Sequence, residues 1–279
     1  MITVKLLGGL GNQMFQYAIG RHLSIRNNSS LTLDLADLLK REESISYTPR
    51  NFELDVFNIE YASKILPGEF RSFKDQLTFR FLTKKINENG HKFDDKVLSL
   101  KRNVYLNGWW QNEKYFNGVK NIIRNDFTLK PGVLPDNESL EKKISSVNSV
   151  SVHFRLGDYL SNPAAKNFHG ILELDYYKKA IDKIAGLVAA PHFFIFSDDI
   201  SWVKKNFVLE QEHTFITHEE HAAVDMYWMS VCKHNIIANS SFSWWGAWLN
   251  QNPDKIVIAP KKWFNSTPTE ILPDRWMQL

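Results

Sequence analysis

The chain of 279 residues is 43% hydrophobic and 23% charged, a globular balance that argues against disorder and suits one large or two medium domains. Its 34 Lys and Arg against 31 Asp and Glu leave a formal charge of +3 with no long basic run, which argues against nucleic-acid binding. The single cysteine, Cys232, rules out an internal disulfide and a cysteine metal cluster, and it fits a reducing compartment.

The chain opens with "ITVKLL", a buried strand, and a turn from Gly8 to Gly11. A helix is predicted from Asn12 to Asn27, with Phe15, Ala18, Ile19 and Leu23 on one face. "SLTLDL" (30–35) is a second strand, so the start reads β-α-β. Residues 40–102 give no clear pattern. "NVYLNGWWQ" restores a strand, and Glu113 to Phe127 reads as a helix. "LKPGVLPDNESL" (129–140) has the composition of a domain edge.

From there strands and helices alternate. "SVSVHF", "HFFIF", "HTFIT", "NIIAN" and "KIVIA" are strands. The helices are Leu174 to Ala189, Ile200 to Phe207, His221 to Lys233, and "SFSWWGAWLN". Such alternation means parallel strands with right-handed crossovers. The expected organisation is two Rossmann-like domains, 1–147 and 148–279. No stretch reaches the roughly 20 apolar residues of a membrane span, and the start lacks a basic leader. A soluble, cytoplasmic protein is expected.

In an open parallel sheet, ligands bind beyond the carboxyl ends of the strands. The unusual polar groups fall there in turn: Gly8 to Gln13, then Arg155, Gly157 and Asp158, then Ser197 to Asp199, His218 and Glu219, and Asn239 to Ser241. Ser240 and Ser241 precede a helix, whose first-turn N–H groups and dipole favour an anion, although a serine there is commonly only a cap. The fork of Arg155 at a neighbouring strand end completes a phosphate clamp. Asp158 either pairs with Arg155 or takes part in the chemistry, and His153 shares the face of Arg155. Asp198 and Asp199 suit a metal pair or contacts to a base or ribose. Trp244, Trp245 and Trp248 read as core facing the sheet.

The turn "GGLGNQM", with Asp34 ending the next strand, approaches a dinucleotide fingerprint, but Met14 stands where the third glycine belongs. An NAD-dependent oxidoreductase is thus one alternative, and a non-catalytic sugar-nucleotide or glycan-binding protein another.

"GGLGNQMFQYA" (8–18), "HFRLGDY" (153–159), "FSDD" (196–199) and "NSSFSWWGAWL" (239–249) together resemble glycosyltransferase family 11, the α-1,2-fucosyltransferases, and the missing anchor resembles the bacterial members. The resemblance implies a GT-B-like α/β fold, two Rossmann-like domains whose parallel sheets face a cleft. It implies inverting transfer of L-fucose from GDP-β-L-fucose to the 2-hydroxyl of a galactose residue, with no metal or other cofactor. The implied partners are GDP-fucose and a galactose-terminated glycan, with peripheral association to lipid-linked glycans in polysaccharide biosynthesis.

On this reading Arg155, Asp158 and His153 are the catalytic candidates. Gly11, Asn12, Arg155, Asp198, Asn239, Ser240, Ser241 and Phe242 hold the donor, Asp198 by the nucleoside. Asn12, Gln13, Trp109, Trp110 and Tyr115 face the acceptor, the three aromatics serving otherwise as core. The family pattern has a second Arg where this chain has Leu156, so the phosphate role falls to Arg155 alone.

Overall fold

A computed structural model describes residues 1–40, 50–68, 83–156, 172–217, 221–265 and 268–279. The chain forms two units, 1–130 with 269–273, and 131–268 with 274–279.

The first unit holds β1 (Ile2–Lys5), α1 (Leu10–Arg26), β2 (Leu31–Asp34), β3 (Ser63–Ile65), β4 (Lys84–Asn87), β5 (Val104–Asn107) and α2 (Lys120–Asp126). Its five strands lie in the order β3-β2-β1-β5-β4, all parallel. Strands β3 and β4 come from the stretch without a sequence pattern. They are short edge strands whose residues are mostly exposed or half-buried, so no apolar run marks them. Helix α1 crosses the sheet closely at Gly20, where a Cβ would lie 2.4 Å from Val4 Cγ2 and 2.9 Å from Leu31 Cδ1. The close packing that a dinucleotide fingerprint assigns to its third glycine is thus met two turns later, and Met14 is fully buried.

The helix expected over 113–127 is instead two 3-10 turns, Glu113–Tyr115 and Asn117–Val119, followed by α2. The Asn112 side chain accepts the Lys114 N–H and starts the first turn. Gly118 brings the backbone close to His22, within 3.3 Å of where its Cβ would be.

The second unit contains α3 (Glu138–Ser146), β6 (Asn148–Phe154), α4 (Leu174–Ala185), β7 (Pro191–Ser197), α5 (Ile200–Asn206), β8 (His213–Phe215), α6 (Ala222–Val231), β9 (His234–Ile236), α7 (Ser241–Leu249), β10 (Val257–Ala259) and β11 (Met277–Gln278). The strand order is β11-β10-β9-β6-β7-β8, again all parallel. One apolar layer packs α4 and α5 on Val150, Val152, Phe193 and Ile195; the other sets α3 and α6 against Phe194 and Phe196. Parallel strands covered on both faces read as continuous apolar runs, which is why "HFFIF" stood out in the sequence; β6 is as deeply buried although Ser149, Ser151 and His153 interrupt its apolar residues. Among the described residues no helix is long and apolar enough to cross a membrane.

Candidate active site

In the second unit the three central strands are in register, Val152 opposite both Ile195 and Ile236. Arg155, Asp198 and Asn239 each stand three residues further along, so they end level at the carboxyl edge of the sheet. Arg155 Nη1 donates to Asp198 Oδ2 at 2.6 Å, and both side chains are one-quarter exposed. The backbone N–H of Leu156 donates to Asp198 Oδ1 at 2.9 Å. Asp198 thus orients the guanidinium, a role the sequence offered to Asp158. Asp158 and Gly157, like His218 and Glu219, lie outside the described residues. Asp199 caps α5 by accepting the Trp202 N–H at 2.8 Å. Among the described residues no cluster of three or more His, Cys, Asp or Glu could hold a metal ion.

Asn239 and Ser240 are buried, and the Asn239 carboxamide donates to Trp263 O at 3.3 Å. Ser240 is the N-cap residue of α7 in extended conformation, yet its side chain makes no capping bond. Ser243 does the local work: its hydroxyl accepts the Ala238 N–H at 3.2 Å and donates to Ser240 O at 3.4 Å. The commonplace role for Ser240 is therefore not the one it plays. The tryptophans of α7 are core. Trp244 and Trp245 have no exposed surface, and Trp244 stacks in parallel on Trp248 at 6.3 Å.

His153 precedes Arg155 on β6, is only 4% exposed, and lies with its ring 5.4 Å from that of Phe242 in the first turn of α7. Its Nδ1 is buried without a hydrogen-bond partner. Burial lowers its pKa to about 4, with the Arg155 charge acting in the same direction and Asp198 opposing. The imidazole is neutral at pH 7 and too weak a base to draw much advantage from proton transfer.

In the first unit, Gly8 adopts the left-handed region (φ 75°) and Gly11 is buried in the first turn of α1. Gln13 has no exposed surface: its Nε2 donates to Gly8 O and Asn51 O, both at 2.9 Å, and its Oε1 accepts the Glu53 N–H at 3.0 Å. Gln13 therefore ties the glycine turn to the following loop and does not reach an acceptor. Trp110 and Tyr115 are likewise buried, edge to face at 5.6 Å, and belong to the core. Trp109 is 36% exposed and Asn12 half-buried, its Oδ1 accepting from Gln111 Nε2 at 2.7 Å. Each oxygen of Asp34 holds a partner, the Ala36 N–H at 2.9 Å and the Tyr105 hydroxyl at 2.8 Å. Two acidic residues missed in the sequence shape this edge. Glu53 accepts the Leu10 N–H at the start of α1, and Glu88 holds the Trp109 turn. Neither sits in a motif, and only the folded loops reveal them.

Two parallel α/β units, the second with an arginine and a helix start at one strand edge, make this an α/β protein with a ligand-binding edge at the carboxyl ends of its strands. The chain belongs to glycosyl transferase family 11, whose model matches residues 1–276, and it is a glycosyltransferase. It is 35% identical to the O-antigen biosynthesis glycosyltransferase WbnK of Escherichia coli, over 98% of this chain and 99% of that protein. It is 37% identical to an alpha-1,2-colitosyltransferase of Escherichia coli, over 100% of this chain and 99% of the relative. The galactoside 2-alpha-L-fucosyltransferase Sec1 of Mus musculus is 24% identical over 93% of this chain and 67% of its own length.

Proposed function

We propose that the protein transfers L-fucose from GDP-β-L-fucose to the 2-hydroxyl of a galactose residue, with inversion and without a metal. The observation that carries this reading is the level placement of Arg155, Asp198 and Asn239 on neighbouring strands beside a helix start that Ser240 leaves uncapped. Arg155, fixed by Asp198, binds the β-phosphate and neutralises charge growing on departing GDP. The first turn of α7, from Ser240 through the Phe242 N–H, receives the same diphosphate. Such preorganised donors contribute about 3–4 kcal/mol to the transition state, the role that a divalent ion fills elsewhere. The α-1,2 linkage and the galactoside acceptor draw support from the relatives, and a place in polysaccharide biosynthesis from the O-antigen protein.

The test is incubation with GDP-fucose and a panel of β-galactosides, followed by linkage analysis of the product and measurement of released GDP. An α-1,2-fucosylated galactoside formed equally with and without EDTA is expected; GDP binding without transfer to any galactoside would leave only a binding protein. A second reading, transfer of colitose, which is fucose lacking its 3-hydroxyl, is favoured by the 37% identical relative. Competition between the two GDP-sugars for one acceptor decides between them.

A further inference from the structure

Only one of the three aromatic residues first considered for an acceptor platform is exposed, and its exposure is imposed by a residue outside every motif. Glu88 follows β4 and faces Gly108 after β5, in continuation of the Asn87–Asn107 pair. Its carboxylate accepts both the Trp109 N–H at 2.6 Å and the Trp110 N–H at 3.0 Å. A side chain at Gly108 would meet it, since a Cβ there would lie 2.4 Å from Glu88 Cβ. Gripped at two successive amides, the chain turns so sharply that Trp110 takes a left-handed backbone (φ 56°), rare for so large a residue. The turn sends neighbouring indoles to opposite fates. Trp110 goes into the core against Tyr115, and Trp109 is turned out beside Gly8, where a Cβ would lie 3.1 Å from its ring. Gln111 fastens the same loop to Asn12 of the glycine turn.

We propose that Trp109 is the stacking platform for the acceptor galactose and that Glu88 is its positioning residue, holding the Trp109–Trp110 turn open. The proposal rests on the galactoside reading above. A β-galactose has one apolar face, formed by its C3–H, C4–H and C5–H, because its axial O4 projects to the other side. An exposed indole beside a flat glycine backbone offers a matching surface, and the Asn12 carboxamide supplies a polar group at its border.

The experiment measures steady-state kinetics for wild type, Trp109→Ala, Trp109→Phe, Glu88→Gln and the Trp109→Ala/Glu88→Gln double variant, with GDP-fucose and lactose or Galβ1,3GlcNAc. Lactose binding is followed in parallel by quenching of tryptophan fluorescence, which needs no turnover. Trp109→Ala is expected to raise acceptor KM about tenfold with donor KM unchanged, and Trp109→Phe to recover most of that loss. Glu88→Gln keeps one acceptor oxygen but sets an amide N–H against a backbone donor; it should raise acceptor KM about threefold. In the double variant the two effects should not add, since Glu88 acts through Trp109. The proposal is overturned by unchanged acceptor KM in both Trp109 variants, by a lactose quench that persists in Trp109→Phe, or by additive losses. Failure of the wild type to transfer to any galactoside is a separate outcome and defeats the function; the lactose quench, present and lost with Trp109 or not, still decides the platform.

Discussion

The His153 ring lies 5.4 Å from that of Phe242, joining the end of β6 to the first turn of α7. The contact places a buried, neutral imidazole under the edge where Arg155 and Asp198 meet, and these are the charged groups acting on it. In the unfolded chain a histidine takes up its proton near pH 6.5, whereas His153 in the fold resists protonation down to about 4. Between those values the unfolded state holds more protons, so stability rises with pH, by a total on the order of 3 kcal/mol. Urea midpoints measured from pH 4.5 to 7 should show that slope, and His153→Gln should flatten it, leaving the part due to His91, His192 and His234, whose pKa values burial also lowers. The transfer rate should show no inflection between pH 6 and 8 due to His153; one that disappears in His153→Gln would contradict a neutral imidazole.

The Arg155–Asp198 pair predicts a graded series. Asp198→Asn keeps an oxygen for the Leu156 N–H but loses the charged partner of the guanidinium. Loss of preorganisation should lower kcat by about tenfold to a hundredfold, with a matching fall in GDP affinity by calorimetry. Arg155→Lys retains the charge without the fork and should fall by on the order of a hundred- to a thousandfold. Near-normal turnover in Arg155→Lys would sink the phosphate role.

Much of the second unit was readable from sequence because its strands are covered on both faces and its helices carry one apolar side. β6, β7 and α7 were placed within a few residues. The strand-end position of Arg155 and Ser240 was equally legible, since loop chemistry after a buried strand follows from chain order alone. What stayed hidden depended on partners distant in sequence. The choice of Asp198 as the carboxylate on Arg155 spans 43 residues. Gln13 looked like a ligand group because two of its three backbone partners, Asn51 and Glu53, lie in the stretch with no pattern, the third being Gly8 of its own turn. The opposite fates of Trp109 and Trp110 turn on Glu88, in the same unpatterned region.

A buried amide network behind the site was also invisible in the sequence. Asn235 Nδ2 donates to Ser151 Oγ (2.7 Å) and Met229 O (2.8 Å), and its Oδ1 accepts from Asn250 Nδ2 at 2.8 Å. These bonds tie β9 to β6, to α6 and to the residue that ends α7. Asn235→Ala leaves the Met229 carbonyl and Asn250 with partners missing inside the core, so a loss of about 2–4 kcal/mol is expected by chemical denaturation. Asn235→Asp should also destabilise, because a carboxylate cannot donate to Ser151 or Met229 O. A near-neutral alanine variant would show that the network contributes little.

Gly20 supplies a prediction in which two local effects oppose each other. Within a helix, Ala is favoured over Gly by about 1 kcal/mol. Here the added methyl would lie 2.4 Å from Val4 Cγ2 and 2.9 Å from Leu31 Cδ1, both in strands of the sheet and both fully or almost fully buried. Overpacking of this kind costs about 1–3 kcal/mol, and the neighbours cannot yield without moving α1 off β1 and β2. The steric term wins, and Gly20→Ala should lower the denaturant midpoint. Val4→Ala removes the closest methyl, so the pair Gly20→Ala/Val4→Ala should be more stable than the sum of the single losses implies. Additive losses in that double variant would place the strain elsewhere than between α1 and β1.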